Sequence, residues 1–293
     1  MAVILGADTG GSQINEVVIL NAFANTVTLA DGRVYQKAGV IETTTSNYPD
    51  ARASFLPTGD KIDTTGVSSP QGVAWDGTYY WVTDGNSDDV TKLDTSGASQ
   101  ATFSVSSQDT QPTGITWDGS YLWVAGSAND RVYKYNNSGT YQNSYFDISG
   151  QTTGPVGLTW DGSYLWLIGN NEVVYKYNTS GTYQNVSFSV AGQTSQAQGI
   201  AWDGTSFWVI DGDENVWEYN ASGVYQNNSF SASASTNEAT GIVWNSAGSK
   251  LVVLSNQYDD LFDYVLGVGI AELTDGQKSY GPQLGGNVYV RVK

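Results

Sequence analysis

At 293 residues, with 40% hydrophobic and 13% aromatic content, the chain is long enough and apolar enough to build a large packed core. Its 29 acidic against 12 basic residues give a net charge of -17, which repels phosphate backbones and anionic lipid surfaces and argues against nucleic acid as a partner. Cysteine and histidine are both absent, which removes disulfides, thiolate metal sites and the commonest general base.

Met1-Ala2-Val3-Ile4-Leu5-Gly6 has too short an apolar run and no basic flank for a secretory signal. No stretch approaches the ~18–20 apolar residues of a transmembrane helix, so a chain made in the cytoplasm without membrane insertion is expected. Residues 14–20 and 25–29 are short β-branched runs, and Ala30-Asp31-Gly32-Arg33 forms a turn before Val34-Tyr35. Residues 1–53 therefore read as a small β segment, ending in an extended polar stretch.

Gly32-Arg33-Val34-Tyr35, followed by Ala38-Gly39-Val40-Ile41-Glu42-Thr43 and Tyr48-Pro49-Asp50-Ala51, resembles a segment of tailed-bacteriophage structural proteins of the tail, fibre or decoration type. That segment often stands beside an array of Trp-Asp-Gly repeats. The resemblance covers about twenty residues and carries no chemistry. It implies that the flank attaches the chain to a virion.

From residue 54 the chain is repetitive. Trp-Asp-Gly begins at Trp75, Trp117, Trp160 and Trp202, and a degenerate copy at Trp244 reads Trp-Asn-Ser; the steps are 42, 43, 42 and 42 residues. In the copy beginning at Pro112, Gly114 to Trp117 reads as a strand and Asp118-Gly119 as a two-residue hairpin turn. Tyr121 to Ala125 is the return strand, Val132 to Tyr135 a third, and Tyr141 to Ile148 a fourth, after the Asn136-Asn137-Ser138-Gly139 turn. Four antiparallel strands at this period, with apolar residues alternating by two, predict an all-β fold: a five-bladed β-propeller over residues 54–266. The fifth copy lacks its last strand, so residues 54–69 are expected to complete that blade and close the ring. The blade number and repeat length resemble tachylectin-like propellers, which use pockets between blades.

Residues 267–293 end in Asn287-Val288-Tyr289-Val290-Arg291-Val292-Lys293, which alternates as a strand. Ring closure brings the two chain ends to one place, so this segment is expected to join residues 1–53 in an attachment element, with the propeller as a head on a stalk.

In a four-stranded meander the first and third turns share one face, and the second turn and inter-blade connection share the other. The first face repeats almost unchanged. Asp76, Asp118, Asp161 and Asp203 precede glycine there and read as turn formers, and the paired tryptophans at uniform strand positions read as inter-blade packing. The Asn-x-Ser triplets at Asn136, Asn178 and Asn220 also lie in turns. Sequence variation is concentrated on the second face, where recognition is expected. The candidate ligand-binding residues are Asp84, Asn86, Asp88, Asn129, Asp130, Asn171, Glu172, Asp211 and Asp213, with Trp217, whose counterparts are Thr91, Tyr133 and Tyr175. The acidic loops 84–89 and 211–214 lack the spacing of a calcium loop, so neither a metal nor another cofactor is expected.

Catalysis is disfavoured, because acyl transfer would need a base for a Ser or Thr nucleophile with neither His nor Cys available, and no carboxylate pair stands out for glycoside hydrolysis. The favoured function is a non-enzymatic virion protein, bound to other virion proteins through residues 1–53 and 267–293. It is expected to be homo-oligomeric in the particle and to contact a host-surface glycan. The alternatives are a free lectin and, less favoured, a hydrolase.

Overall fold

The structure, a computed structural model, describes residues 2–5, 17–20, 26–28, 34–40, 55–64, 66–233, 236, 238–266 and 287–291. Every regular element among them is a β-strand. In the flanks these are β1 (Ala2–Leu5), β2 (Val17–Leu20), β3 (Thr26–Thr28), β4 (Val34–Val40) and, at the far end, β25 (Asn287–Arg291). They form one antiparallel sheet in the order β1-β2-β25-β4-β3, with the last strand of the chain between two of the first four.

The repeats form five four-stranded sheets. Blade one is β6 (Pro70–Trp75), β7 (Tyr80–Asp84), β8 (Asp89–Leu93) and β9 (Ser99–Ser104), and blade two is β10 (Pro112–Trp117), β11 (Leu122–Gly126), β12 (Arg131–Tyr135) and β13 (Tyr141–Asp147). Blade three is β14 (Pro155–Trp160), β15 (Leu165–Gly169), β16 (Val173–Tyr177) and β17 (Tyr183–Ser189). Blade four is β18 (Ala197–Trp202), β19 (Ser206–Asp211), β20 (Asn215–Asn220) and β21 (Tyr225–Ser231). Blade five takes β22 (Ala239–Asn245), β23 (Lys250–Ser255) and β24 (Asp260–Leu266) from the end of the array, and β5 (Phe55–Asp63) from its start as fourth strand. Inner strands contact one another in turn, and β22 meets β6, so the ring is closed. The chain divides into two compact units, Met1–Ala53 with Gly267–Lys293, and Ser54–Leu266.

Composition follows radius. The second strands β7, β11, β15 and β19 are buried at every position, because neighbouring blades cover both faces, and they read as nearly continuous apolar runs where simple alternation was expected. The fourth strand, at the rim, is mostly exposed in β9 and correspondingly polar. Between successive blades, the tryptophan of one second strand shares a core with the tryptophan of the next inner strand. Trp81 shares with Trp117, Trp123 with Trp160, Trp166 with Trp202, and Trp208 with Trp244. Between blades five and one the second-strand position holds Val252, facing Trp75.

The repeated turn is longer than the two-residue hairpin expected from Asp-Gly. Trp117 pairs with Leu122, which leaves four residues in the loop. Asp118 is the reason. Its Oδ1 accepts the amides of Ser120 (2.8 Å) and Tyr121 (2.7 Å), and Gly119 takes φ +95°, which a side chain would oppose. Its Oδ2 accepts the buried Trp123 indole N–H at 2.7 Å, and the same bond recurs at Trp81, Trp166 and Trp208. One carboxylate thus closes the turn and satisfies a core tryptophan.

Candidate functional site

On the face opposite these turns, the second and third strands of the five blades are joined by residues 85–88, 127–130, 170–172, 212–214 and 256–259. Each loop ends on an acidic residue in the left-handed region: Asp88, Asp130, Glu172, Glu214 and Asp259, with φ between 51° and 58°. This conformation costs about 1 kcal/mol or more for a residue other than glycine. It aims the carbonyl of the acidic residue at the first amide beyond the fourth strand. Val105 donates to Asp88 O (2.8 Å), Ile148 to Asp130 O (2.9 Å), Val190 to Glu172 O (2.8 Å), Ala232 to Glu214 O (2.7 Å) and Thr64 to Asp259 O (2.7 Å). One acidic side chain per blade stands at equivalent positions as a result.

The candidate residues are distributed over four blades. Asp84 is only 2% exposed. Its carboxylate accepts the amides of Ser68 (2.6 Å), Asn86 (2.8 Å) and Ser87 (3.2 Å). Burial pushes its pKa up, but these donors outweigh burial and hold the carboxyl below the usual range. Asp211 is equally buried and accepts the amides of Asp213 (3.1 Å) and Asn215 (2.9 Å) and the indole N–H of Trp217 (2.8 Å). Trp217 is half-buried, with its ring edge-on to Tyr225. Asn86 and Asp213 are exposed, and Asp88 and Glu172 are partly buried. Asn129 donates to Gln108 O (3.0 Å), while Asn171 donates to Gln151 O (3.2 Å) and to the Tyr175 hydroxyl (2.8 Å). Asp130 is partly buried, and burial, then Asp147 and Asp109, raises its carboxyl pKa.

Gly72, Gly114, Gly157, Gly199 and Gly241 line the axis, one from each inner strand, and leave a cavity of ≈ 10 Å³, about the room one water needs. A Cβ on Gly114 would stand 2.7 Å from backbone atoms of Gly157 and Leu158, and one on Gly157 would stand 2.9 Å from Gly199 Cα. Bare backbone packs against bare backbone around the ring. The pattern Gly-[Val/Ile/Leu]-x-Trp in every inner strand carries this signal, but reading those residues only as strand passes over it. Among the described residues, no group of three or more acidic side chains gathers in a metal-binding arrangement. No described helix is long and apolar enough to cross a membrane.

The opposite face is more uniform. In blades one to three Lys92, Lys134 and Lys176 lie 3.7–3.9 Å from the ring centroids of Tyr79, Tyr121 and Tyr164. Blade four replaces the cation with Glu218, which accepts the Ser206 hydroxyl (2.7 Å), and blade five pairs Lys250 with Asp263.

No protein-family model matches the chain, and no curated protein matches it in sequence. Among solved structures, it is similar to the glutaminyl cyclase of Myxococcus xanthus, with a TM-score of 0.63 and 14% identity over 74% of this chain and 97% of that one. It is also similar to a streptogramin B lyase, with a TM-score of 0.45 and 17% identity over 91% and 93% of the two chains. At 14% identity the likeness to the cyclase shows the fold alone, a β-propeller.

Proposed function

We propose that the protein is a non-enzymatic component of a bacteriophage particle, held by its flanking segments and presenting the propeller for contact with a host-surface glycan. The observation that carries this reading is the flank sheet. Strands from both ends of the chain combine in β1-β2-β25-β4-β3, apart from the five blades. A propeller needs no such sheet to close, so a separate role for it is attachment to other virion proteins. The resemblance of residues 32–51 to tail and fibre proteins points the same way.

A recognition role for the propeller fits its loops. They vary in length and residue type on a rigid closed ring, which is the usual arrangement of a binding surface. The glutaminyl cyclase shares the fold, and fold does not carry function with it. With neither histidine nor cysteine in the chain, and with Asp84 and Asp211 committed to backbone donors, recognition is better supported than hydrolysis.

Sedimentation of particles from an infected culture tests the reading. The full chain is expected to pellet with the particles, and residues 54–266 alone to stay in the supernatant. A full chain that never pellets, or an isolated propeller that still does, would refute the attachment role and favour a free lectin.

A further inference from the structure

At the outer half of each blade, the third residue of the third strand faces a cross-strand partner on the fourth. The pairs are Thr91 with Thr102, Tyr133 with Tyr145, Tyr175 with Ser187, Trp217 with Ser229 and Phe262 with Lys61. Four blades settle the polar groups there. Thr91 and Thr102 share a hydrogen bond (3.2 Å), the Tyr175 hydroxyl accepts from Asn171 (2.8 Å), and Trp217 donates to Asp211 (2.8 Å). Beside Phe262, Lys61 donates to Asp260 (2.7 Å).

Blade two leaves them open. The Tyr133 hydroxyl, the Arg131 Nε and the Asp130 Oδ1 are all buried and make no hydrogen bond of good geometry among the described residues, and Tyr133 as a whole is 3% exposed. Asp259 Oδ1, the blade-five counterpart of Asp130 Oδ1, is in the same state, so the Tyr133 and Arg131 pair is what sets blade two apart. In blade three Asn171, four residues before its tyrosine, donates both to Gln151 O and to the Tyr175 hydroxyl, whereas Asn129 at the same offset in blade two donates to Gln108 O. Burial chiefly, then Asp109, raises the Tyr133 phenol pKa, while Arg131 and Asn129 lower it through weak hydrogen bonding, close to the hydroxyl but not aligned for a full bond. Tyr145 covers the group. It is 51% exposed, its ring centroid is 4.5 Å from the Arg131 guanidinium carbon and 6.0 Å from the Tyr133 ring. An unpaired buried polar atom costs about 1–3 kcal/mol, so three within four residues call for an explanation.

We propose that Asp130, Arg131, Tyr133 and Tyr145 form a subsite for a neutral saccharide, which the other four blades lack. Arg131 Nε and the Tyr133 hydroxyl supply donors, and Asp130 supplies an acceptor. Adjacent sugar hydroxyls, each able to donate and to accept, match that set. Tyr145 swings aside to admit the ligand, a side-chain change common at binding surfaces, and its ring then offers an apolar face. A neutral ligand suits the site because the Arg131 charge is balanced by Asp147, on which it acts, and because Asp109 and Asp147 act on Asp130. This subsite deepens the glycan-contact reading given above and rests on it.

Saturation-transfer NMR on the full chain, with glucose, galactose, mannose, N-acetylglucosamine and anionic N-acetylneuraminic acid as probes, tests the assignment. At least one neutral sugar is expected to bind. Tyr133→Phe and Tyr145→Ala should each weaken it by about tenfold, the loss of one good contact, with Tm unchanged or raised for Tyr133→Phe; Thr102→Ala and Ser187→Ala, at the counterparts of Tyr145 in blades one and three, should leave affinity unchanged. If no neutral sugar binds, if only the anionic probe does, or if binding survives both blade-two substitutions, the subsite is overturned. In the last case recognition itself stands and lies elsewhere. If no sugar binds but the chain still pellets with particles, the saccharide assignment falls and the attachment role survives.

Discussion

Asp118 and Trp123 show how a residue pair is selected as a pair. In four blades the turn aspartate accepts the indole N–H of the tryptophan five residues on. Blade five has Asn245 and, where the tryptophan would stand, Val252; the free amide donates instead to the Tyr80 hydroxyl of blade one (2.5 Å). On the other face Asp84 supports a test by pH. Its folded-state pKa is depressed, so it contributes stability above the unfolded value of about 3.9, and that contribution is lost as pH falls through the folded pKa. Asp84→Asn should cost about 1–3 kcal/mol at pH 7 and reduce the loss of stability below about pH 4. Urea unfolding from pH 3 to 7 checks this, and parallel curves for the two proteins would mean that the carboxylate contributes nothing specific. In sequence, an acidic loop residue that caps its own loop looks the same as one that faces solvent. The loop acids were therefore legible as candidates, but the commitment of Asp84 and Asp211 to backbone amides was not. Tyr133 reads only as strand filler until its missing partners are counted in three dimensions.

The four-strand unit was legible because strands and turns are local: Trp-Asp-Gly, the Asn-x-Ser-Gly turns and the apolar runs recur at fixed offsets. Closeness between blades is not local. Gly114 looks like an ordinary, slightly weakening strand residue, yet its contacts are with Gly157 and Leu158, backbone against backbone. Gly114→Ala should therefore destabilise the propeller by about 2–3 kcal/mol, since inner strands must part to admit the methyl. Gly150→Ala is the matched control: nothing lies within 4 Å of its added Cβ and its φ is not positive. There a change of less than about 1 kcal/mol is expected, in the stabilising direction. Denaturant midpoints of the two variants compare the costs directly. Equal values would show that the axial ring tolerates a side chain and that the close approach is not what fixes glycine.

For the molecule as a whole, closure decides how the blades share their stability. An open array of repeats has ends that fray, because each unit contacts only its neighbours. Here β5 pairs with β24, and the Lys61 to Asp260 hydrogen bond spans 199 positions. Phe55, 4% exposed on β5, places its ring 4.9 Å from Trp208 of blade four and 6.3 Å from Trp244 of blade five. One residue from the start of the array thus packs into the core between its last two blades. Phe55→Ala should cost about 3–5 kcal/mol. Because a ring has no free end to lose first, the loss should lower one common transition. Tryptophan fluorescence and far-UV circular dichroism should report the same midpoint for the variant, shifted together from the parent protein. Separate midpoints would mean that blade five can leave while the other four remain, and that the seam is a local contact, not the closure on which the whole propeller depends.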